Sequence, residues 1–348
     1  MDKVYIILVN YNNFGDTIEC LESLLKSEYL NYQIFIVDNS KNELSVNEFS
    51  NWLVNNNFYV KTDFPHLVFP LQNKPIVFRI FSEANFEIQS ETFEEKIIII
   101  RAGNNGFAAA NNIVLRYILR TAEATSLIWL LNNDTVVEKT TLGNLVCGYL
   151  SNLDKKYIFG SKLLCYNNPK FIQAVAGKYN KWLGKHHHIG EGEEDKSQYD
   201  AYSFGQLDYI VGASLFLPKL FLEQVGLMNE DYFLYFEELD WITKGRRNGF
   251  NIALAPCAIV YHKEGSSIVG EKSQRKDTST AEFYSISNRV RFIKKWYPLC
   301  VVTVLPGVFF ALMKRMFSGK FKLAMTTSVA VCHILFSVKP PIFKYETD

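Results

Sequence analysis

The chain has 348 residues, 48% hydrophobic and 21% charged, with a formal net charge of +1. That length suffices for one large α/β domain of about 250 residues plus an appendage, and the near-neutral charge gives no long-range field to draw a duplex nucleic acid. Six scattered cysteines without a C-x-x-C pair argue against zinc sites and a disulfide framework, and fit a reducing cytoplasm.

The chain begins directly with a predicted strand, Lys3 to Asn10, with no basic stretch leading into an apolar one, so no signal peptide is expected. Val4 to Val9 is an unbroken apolar run of the kind buried on both faces of a parallel sheet. The polar loop Asn10-Tyr11-Asn12-Asn13 follows, and Ile18, Leu21, Leu24 and Leu25 then recur at helical spacing. Gln33 to Val37 is a second strand, ending at Asp38-Asn39-Ser40. Polar residues thus close both strands of a βαβ unit, where open α/β sheets bind ligands. Asp38 is placed to accept from the N3–H of a uracil or thymine ring, although Asp is also a common turn former.

Residues 55–95, with Pro65, Pro70 and Pro75 among aromatics, break the rhythm and read as an insertion, a small hairpin or an interface arm. Ile97 to Ile100 is the next strand, running into Arg101 and the turn Asn104-Asn105-Gly106-Phe107. A helix from about Ala108 to Arg120 starts with small residues and Asn111, so an anionic group can approach its N-terminus closely. The turn is not G-x-G-x-x-G, which argues against a nicotinamide or flavin. Leu127 to Leu131 is a further strand, ending at Asn132-Asn133-Asp134. Alternating strands and helices imply a mostly parallel sheet.

Gly184 to Tyr199 is polar and Gly-rich and reads as a mobile loop; His186-His187-His188 inside it could bind metal, but without helix or strand spacing a solvated run is the favoured reading. Gly212 to Leu217 is apolar. Tyr235 to Arg247 is an amphipathic helix with Lys244, Arg246 and Arg247 in its last turn and Gly249 just beyond. Ile252 to Tyr261 returns as strand, interrupted by Pro256 and closed by His262. Leu299 to Met313 and Leu323 to Val338 are apolar stretches of about 15 residues, short of the roughly 20 that span a bilayer. Basic residues beside them suit either peripheral contact with an anionic membrane or packing on the core or in a homo-oligomer.

Three clusters carry chemistry. A carboxylate directly after a buried strand, Asp134, is costly unless solvated or paired, and magnesium or manganese takes such oxygen ligands while bridging phosphate oxygens. Glu237, Glu238 and Asp240 crowd a helix start among aromatics. The helix dipole accounts for one or two of them; like charges in that setting also raise a carboxylate pKa, as a general base requires. Spacing alone does not choose among the three. His262 can complete a metal shell through one ring nitrogen.

In order along residues 3–295, these segments resemble the family 2 inverting glycosyltransferases of the GT-A fold, in particular their rhamnosyltransferase-like branch. The resemblance rests on Val9 to Asn12, Ile36 to Ser40, Asn104 to Asn112, Leu130 to Thr135, Val211 to Ser214, Gly226 to Trp241, Ala258 to His262 and Tyr284 to Arg289. It implies a Rossmann-like, mostly parallel sheet flanked by helices in a domain of residues 1–295, with an apolar helical appendage over 296–348. It further implies Mg2+ or Mn2+ held by Asp134 and His262, and Glu238 as catalytic base with Glu237 as fallback and Asp240 beside them. Donor binding would fall to Asn10, Tyr11, Asn12, Asp38, Arg101, Asn104, Gly106, Phe107, Asn111, Asn132, Asn133 and Asp134. Asp208, Gly212, Ala213, Trp241 and Arg289 would meet the sugar and the acceptor.

The expected reaction moves a sugar from a nucleotide-diphosphate donor, dTDP-rhamnose or a UDP-hexose, to a hydroxyl of a growing surface polysaccharide or lipid-linked glycan at the inner face of the cell membrane. Three departures qualify the resemblance. Asn132 stands where the metal motif has its first acid, Glu238 is one methylene longer than the usual Asp, and the insertion is atypical. Competing readings are a degenerate nucleotide-sugar-binding paralogue and a sugar-phosphate nucleotidyltransferase. The second would want a Gly-rich, charged loop after the first strand, where Asn10 to Asn13 is uncharged.

Overall fold

A computed structural model describes residues 2–200, 207–263 and 278–336. The first half alternates β1 (Val4–Asn10), α1 (Phe14–Leu24), β2 (Tyr32–Asp38), α2 (Leu44–Val54), α3 (Pro65–Val68), β3 (Phe78–Ser82), α4 (Glu83–Glu87), β4 (Ile97–Arg101), α5 (Phe107–Thr121) and β5 (Leu127–Leu131). There follow β6 (Thr135–Val137), α6 (Thr141–Leu150), β7 (Tyr157–Cys165), β8 (Asn168–Ala174), β9 (Ala176–Asn180), β10 (Lys185–Ile189) and β11 (Ser214–Pro218). The last part holds α7 (Lys219–Val225), α8 (Glu237–Arg247), β12 (Asn251–His262), α9 (Thr278–Trp296), α10 (Val301–Phe317) and α11 (Phe321–Phe336).

The main sheet runs β3-β4-β2-β1-β5-β11-β7-β12-β6, with β8 on β7. Strands β3, β4, β2, β1 and β5 are parallel to one another, and β12 is parallel to β7. Strand β11 is antiparallel to both β5 and β7. Two antiparallel steps restore the direction, so the carboxyl ends of β1, β2, β4, β5, β7 and β12 share one rim. The amino end of β11, with Gly212 and Ala213 before it, meets the same rim. That topology gathers Asn10, Asp38, Arg101, Asn132 and His262 there, although up to 252 residues separate them in sequence.

Both faces of the sheet are covered, which explains the continuous apolar runs. In β1, Tyr5 and Ile7 face a core shared with α5, α7 and α8, while Val4, Ile6 and Leu8 face one shared with α1, α2 and α6.

Three expectations need correction. The insertion is neither a hairpin nor a free arm: β3 adds an edge strand parallel to β4. It is tied down by a buried ion pair, Lys74 Nζ to Glu22 Oε1 at 2.8 Å, and by Gln72 N–H donating to Glu22 Oε2. Period-2 alternation is weak in Phe78 to Ser82 because much of this edge is exposed. The tract from Gly184 is not a loop throughout, since β10 pairs antiparallel with β9 and carries all three histidines. Finally, a single-turn 3-10 helix at Pro298–Cys300 joins α10, giving a helical run of 20 residues, Pro298–Phe317, long and apolar enough to cross a membrane by length and composition. Pro306 sits inside it rather than ending it. Of the second apolar stretch, Ser337 and Val338 lie outside the described residues.

Candidate active site

At the shared rim lies a cleft of about 520 Å³, lined by the loops after β1, β2, β4 and β5, the start of β11, strand β10, the approach to α8 and the end of β12. Asp134 and His262 meet on one wall. His262 Nε2 is 3.2 Å from Asp134 Oδ1 and 3.3 Å from Asn132 Nδ2. The backbone joins the two segments as well, Lys263 N–H donating to the carbonyl of Asp134 at 3.1 Å. On its other side, His262 Nδ1 donates to Gln173 Oε1 at 2.8 Å. An amide oxygen only accepts, so Nδ1 carries a proton and Nε2 is the ring nitrogen turned towards Asp134, where it can serve as a metal ligand when unprotonated. Gln173 is buried on β8. Sequence reasoning passed it over, because nothing in Asn168 to Ala174 marks it as polar support for a distant histidine.

The pair suits a hard divalent cation. Two ligands on adjacent corners of an octahedron, each about 2.1 Å from the ion, stand roughly 3 Å apart, close to the observed separation. Two protein ligands are few, but Mg2+ keeps water and takes substrate phosphates to complete its shell. Asn133 is buried beneath, donating to Thr17 Oγ1 at 2.8 Å, and thus fixes the loop without charge.

The opposite wall is the start of α8. Tyr235 and Phe236 precede it with φ of 67° and 73°, two successive left-handed residues without the freedom of glycine. Asn288, fully buried on α9, holds this turn by donating Nδ2 to the carbonyls of Leu234 (2.8 Å) and Tyr235 (3.1 Å). Gly106 is part of the same fit. Its φ is 96°, and a Cβ there would stand 2.5 Å from the carbonyl oxygen of Phe233.

Glu237 and Glu238 both line the cleft. Each has one buried carboxylate oxygen with no hydrogen-bond partner among the described residues. Burial first, and then the charge of Glu238, raises the pKa of Glu237 well above the ordinary carboxylate range. Burial also raises Glu238, opposed by the backbone N–H groups of Glu238 and Leu239. Glu238 lies over Gly212, where a Cβ would come within 3.3 Å of its Cγ and Cδ. Asp240 is not in the cleft. Its carboxylate accepts from Trp296 Nε1 (2.6 Å), Lys295 Nζ (2.7 Å) and Tyr232 Oη (3.2 Å), an arrangement that anchors α8 to α9.

A carboxyl whose folded pKa lies above its unfolded value favours folding only while it is protonated. That contribution is complete below the ordinary carboxylate pKa and is lost as pH rises through the raised value. Glu237→Gln is therefore expected to raise Tm at neutral pH, with the gain vanishing below the ordinary carboxylate pKa. Differential scanning calorimetry across that window checks it; an equal gain at both ends would refute the buried-charge account.

Tyr11, Asn104, Gly106, Phe107, Asn132, Asn133, Gly212 and Ala213 line the same cleft, and Asn132 N–H donates to the carbonyl of Ala213 at 3.0 Å. Asn10 and Asp38 lie buried just behind it. Asp38 Oδ1 accepts from Asn10 Nδ2 (2.7 Å) and from Ser40 Oγ (2.6 Å), and burial raises its pKa against those bonds. Asn12 is exposed at the rim, its N–H donating to Ser40 Oγ. Arg101 is half-exposed and paired with Glu43 at 2.7 Å. Asn111 is buried, Nδ2 donating to the carbonyl of Phe107 and Oδ1 without a partner among the described residues. Trp241 is buried against Phe221. Asp208 accepts from the Tyr179 N–H outside the cleft, and Arg289 is tucked under the β9–β10 turn, within 3.1 Å of a Cβ placed on Gly184.

Several lining residues were not singled out as site residues by the sequence reading, among them Asn39, His186, His188, Tyr209 and Phe233. The histidines are two apart on β10, a strand period that would have shown both on one face had the tract been read as strand. Their neighbourhood is desolvated. His186 is held below the ordinary imidazole range first by burial and then by His188 and Arg289, and burial and Glu238 raise the phenol of Tyr209, whose hydroxyl has no partner among the described residues.

No protein-family model matches the chain. The fold is of the GT-A type. Superposed on the crystal structure of GalNAc-T7 with UDP, GalNAc and Mn2+, 86% of this chain aligns with 49% of that one, at a TM-score of 0.56 and 13% identity. The mannosyltransferase PcManGT of Pyrobaculum calidifontis, in complex with GDP-Man and Mn2+, aligns over 97% of this chain and 88% of its own at a TM-score of 0.48 and 12% identity. In sequence, 47% of the chain is 22% identical to half of the low-salt glycan biosynthesis hexosyltransferase Agl10 of Haloferax volcanii. The chain thus spans about half the length of the curated relative it matches.

Proposed function

We propose that this chain is a divalent-cation-dependent, inverting glycosyltransferase that moves a rhamnosyl or hexosyl group from a dTDP- or UDP-sugar to a hydroxyl of a growing, lipid-linked glycan. The observation that carries the proposal is convergence. A cation-competent Asp134–His262 pair and a desolvated Glu237–Glu238 pair share one cleft at the ligand-binding rim of a GT-A sheet. The name of Agl10 as a hexosyltransferase, and the UDP and Mn2+ held by GalNAc-T7, support the same reaction class.

A Mg2+ or Mn2+ ion at Asp134 and His262 would supply Lewis-acid stabilisation of the departing diphosphate. Glu238 is the base of this reading, being less enclosed than Glu237 and kept closer to ionisation by two backbone N–H groups. It takes the proton of the acceptor hydroxyl. That oxygen forms the new bond to the anomeric carbon as the bond to the diphosphate oxygen breaks, and the leaving group carries the electron pair. Glu237, more strongly desolvated, is the harder of the two to ionise, which favours placing the negative charge on Glu238. In this reading Asn39, which lines the cleft, would meet the nucleobase of the donor, with Asp38 buried behind it.

Thermal-shift measurements against a panel of nucleotide sugars, with and without Mn2+, test the proposal, since a bound donor stabilises in proportion to its affinity. One dTDP- or UDP-sugar should raise Tm in the presence of Mn2+ and do so weakly without it. A panel with no response, or a response only to nucleoside triphosphates, would overturn it.

A further inference from the structure

A second groove, of about 820 Å³, runs beside the first on the far side of the β9–β10 hairpin, and Leu239 lines both. Its walls carry Lys178, Lys181, Arg246, Arg247 and His187 against one carboxylate, Asp208. Lys178 and His187 are cross-strand partners on the hairpin, whereas His186 and His188 flank His187 and line the catalytic cleft. Arg247 is held in place, stacked 4.5 Å from the Trp296 ring centroid and donating to the carbonyl of Trp296. The groove is thus a cationic trough with four Lys or Arg side chains, in a protein whose overall charge is only +1.

The trough opens onto an apolar surface. Tyr297 forms part of its wall and leads directly into the Pro298–Phe317 helix, while Thr303 Oγ1 donates to the carbonyl of Trp182, placing Trp182 beside the first turns of that helix. Cys300, Val304 and Val308 pack inward at helical spacing, and Leu299, Val302 and Phe310 are 80%, 73% and 72% exposed on the outside. Trp182 and Leu183 continue the exposed patch on the hairpin.

We infer that the trough binds the terminal phosphate or diphosphate head of a long-chain lipid whose chain lies along the outer face of α10. Cations at one end and a long apolar stripe at the other match an amphiphile of that polarity, and neither half alone would select one. Such a lipid would hold its sugar end towards Glu238 across Leu239. Its role as acceptor rests on the transferase reading above; the binding does not.

The test is calorimetric titration of the full chain with farnesyl diphosphate below its micelle concentration, compared with inorganic pyrophosphate and with phosphatidylcholine vesicles containing phosphatidylglycerol. Farnesyl diphosphate should bind best. Lys178→Glu/Lys181→Glu should weaken it by about ten-fold or more, and Leu299→Ser/Val302→Ser should weaken it while leaving pyrophosphate unchanged. The Mn2+-dependent donor shift should persist in both double variants, which shows that they fold and separates this claim from that of the catalytic cleft. Equal affinity for pyrophosphate, unchanged affinity in the lysine variant, or loss of vesicle binding alone would overturn the inference; the last would mark a general anionic membrane surface instead.

Discussion

Glu238→Gln should reduce transfer by about 10³-fold, within the range that a positioned general base contributes, while the donor still binds and still raises Tm with Mn2+. Gln keeps the size of Glu238 and its place over Gly212 but cannot accept a proton, so only the chemical step is lost. The rate of the native protein should also fall on the acid side at a pH above the ordinary carboxylate range, because burial raises both members of the pair. The two glutamates interact, so this limb belongs to the pair rather than to one residue. Wild-type turnover by Glu238→Gln would remove the base assignment. If Glu237→Gln were the inactive variant instead, the base would move one residue along.

Asp134→Asn should abolish the Mn2+-dependent part of donor affinity and cut turnover by about 10²- to 10³-fold, as removal of one electrostatic contact to a developing charge does. The reason lies in the wall itself. Asn132 already stands where a carboxylate would be useful, and His262 is uncharged when it offers a lone pair, so Asp134 is the sole anionic ligand of the pair. The folded state should tolerate the change, because Asn can keep a hydrogen bond to His262. Isothermal titration of donor with and without Mn2+ measures this directly. A Mn2+ response equal to that of the native chain would show that the cation is held elsewhere.

The sheet was legible because parallel strands buried on both faces must be apolar throughout, and Val4 to Val9, Gln33 to Val37, Ile97 to Ile100 and Leu127 to Leu131 each announce themselves that way. Asp134 and His262 were legible for a related reason: a charged or titratable residue straight after such a strand needs an explanation. The edge strand of the insertion left no such trace, since its residues face solvent and carry no strong alternation. Gln173 was hidden because its meaning depends on a partner 89 residues away. Asp240 was grouped with its neighbours by sequence, but its carboxylate is engaged by Tyr232, Lys295 and Trp296 and does not line the cleft. The histidines of β10 were missed by a wrong choice of local structure, since Gly184 and Gly190, which bound the strand with φ of 62° and 80°, had been read as signs of looseness.

The two left-handed residues before α8 are held in shape by the Asn288 amide of α9, some fifty residues further along the chain. The turn that presents Glu237 and Glu238 to the cleft is therefore completed only once α9 is in place, and a product cut short of Asn288 would lack the amide that holds it. Anyone trimming this protein for solubility, or grafting the tail of a relative onto it, should make the cut beyond Tyr297 and carry Asn288 along.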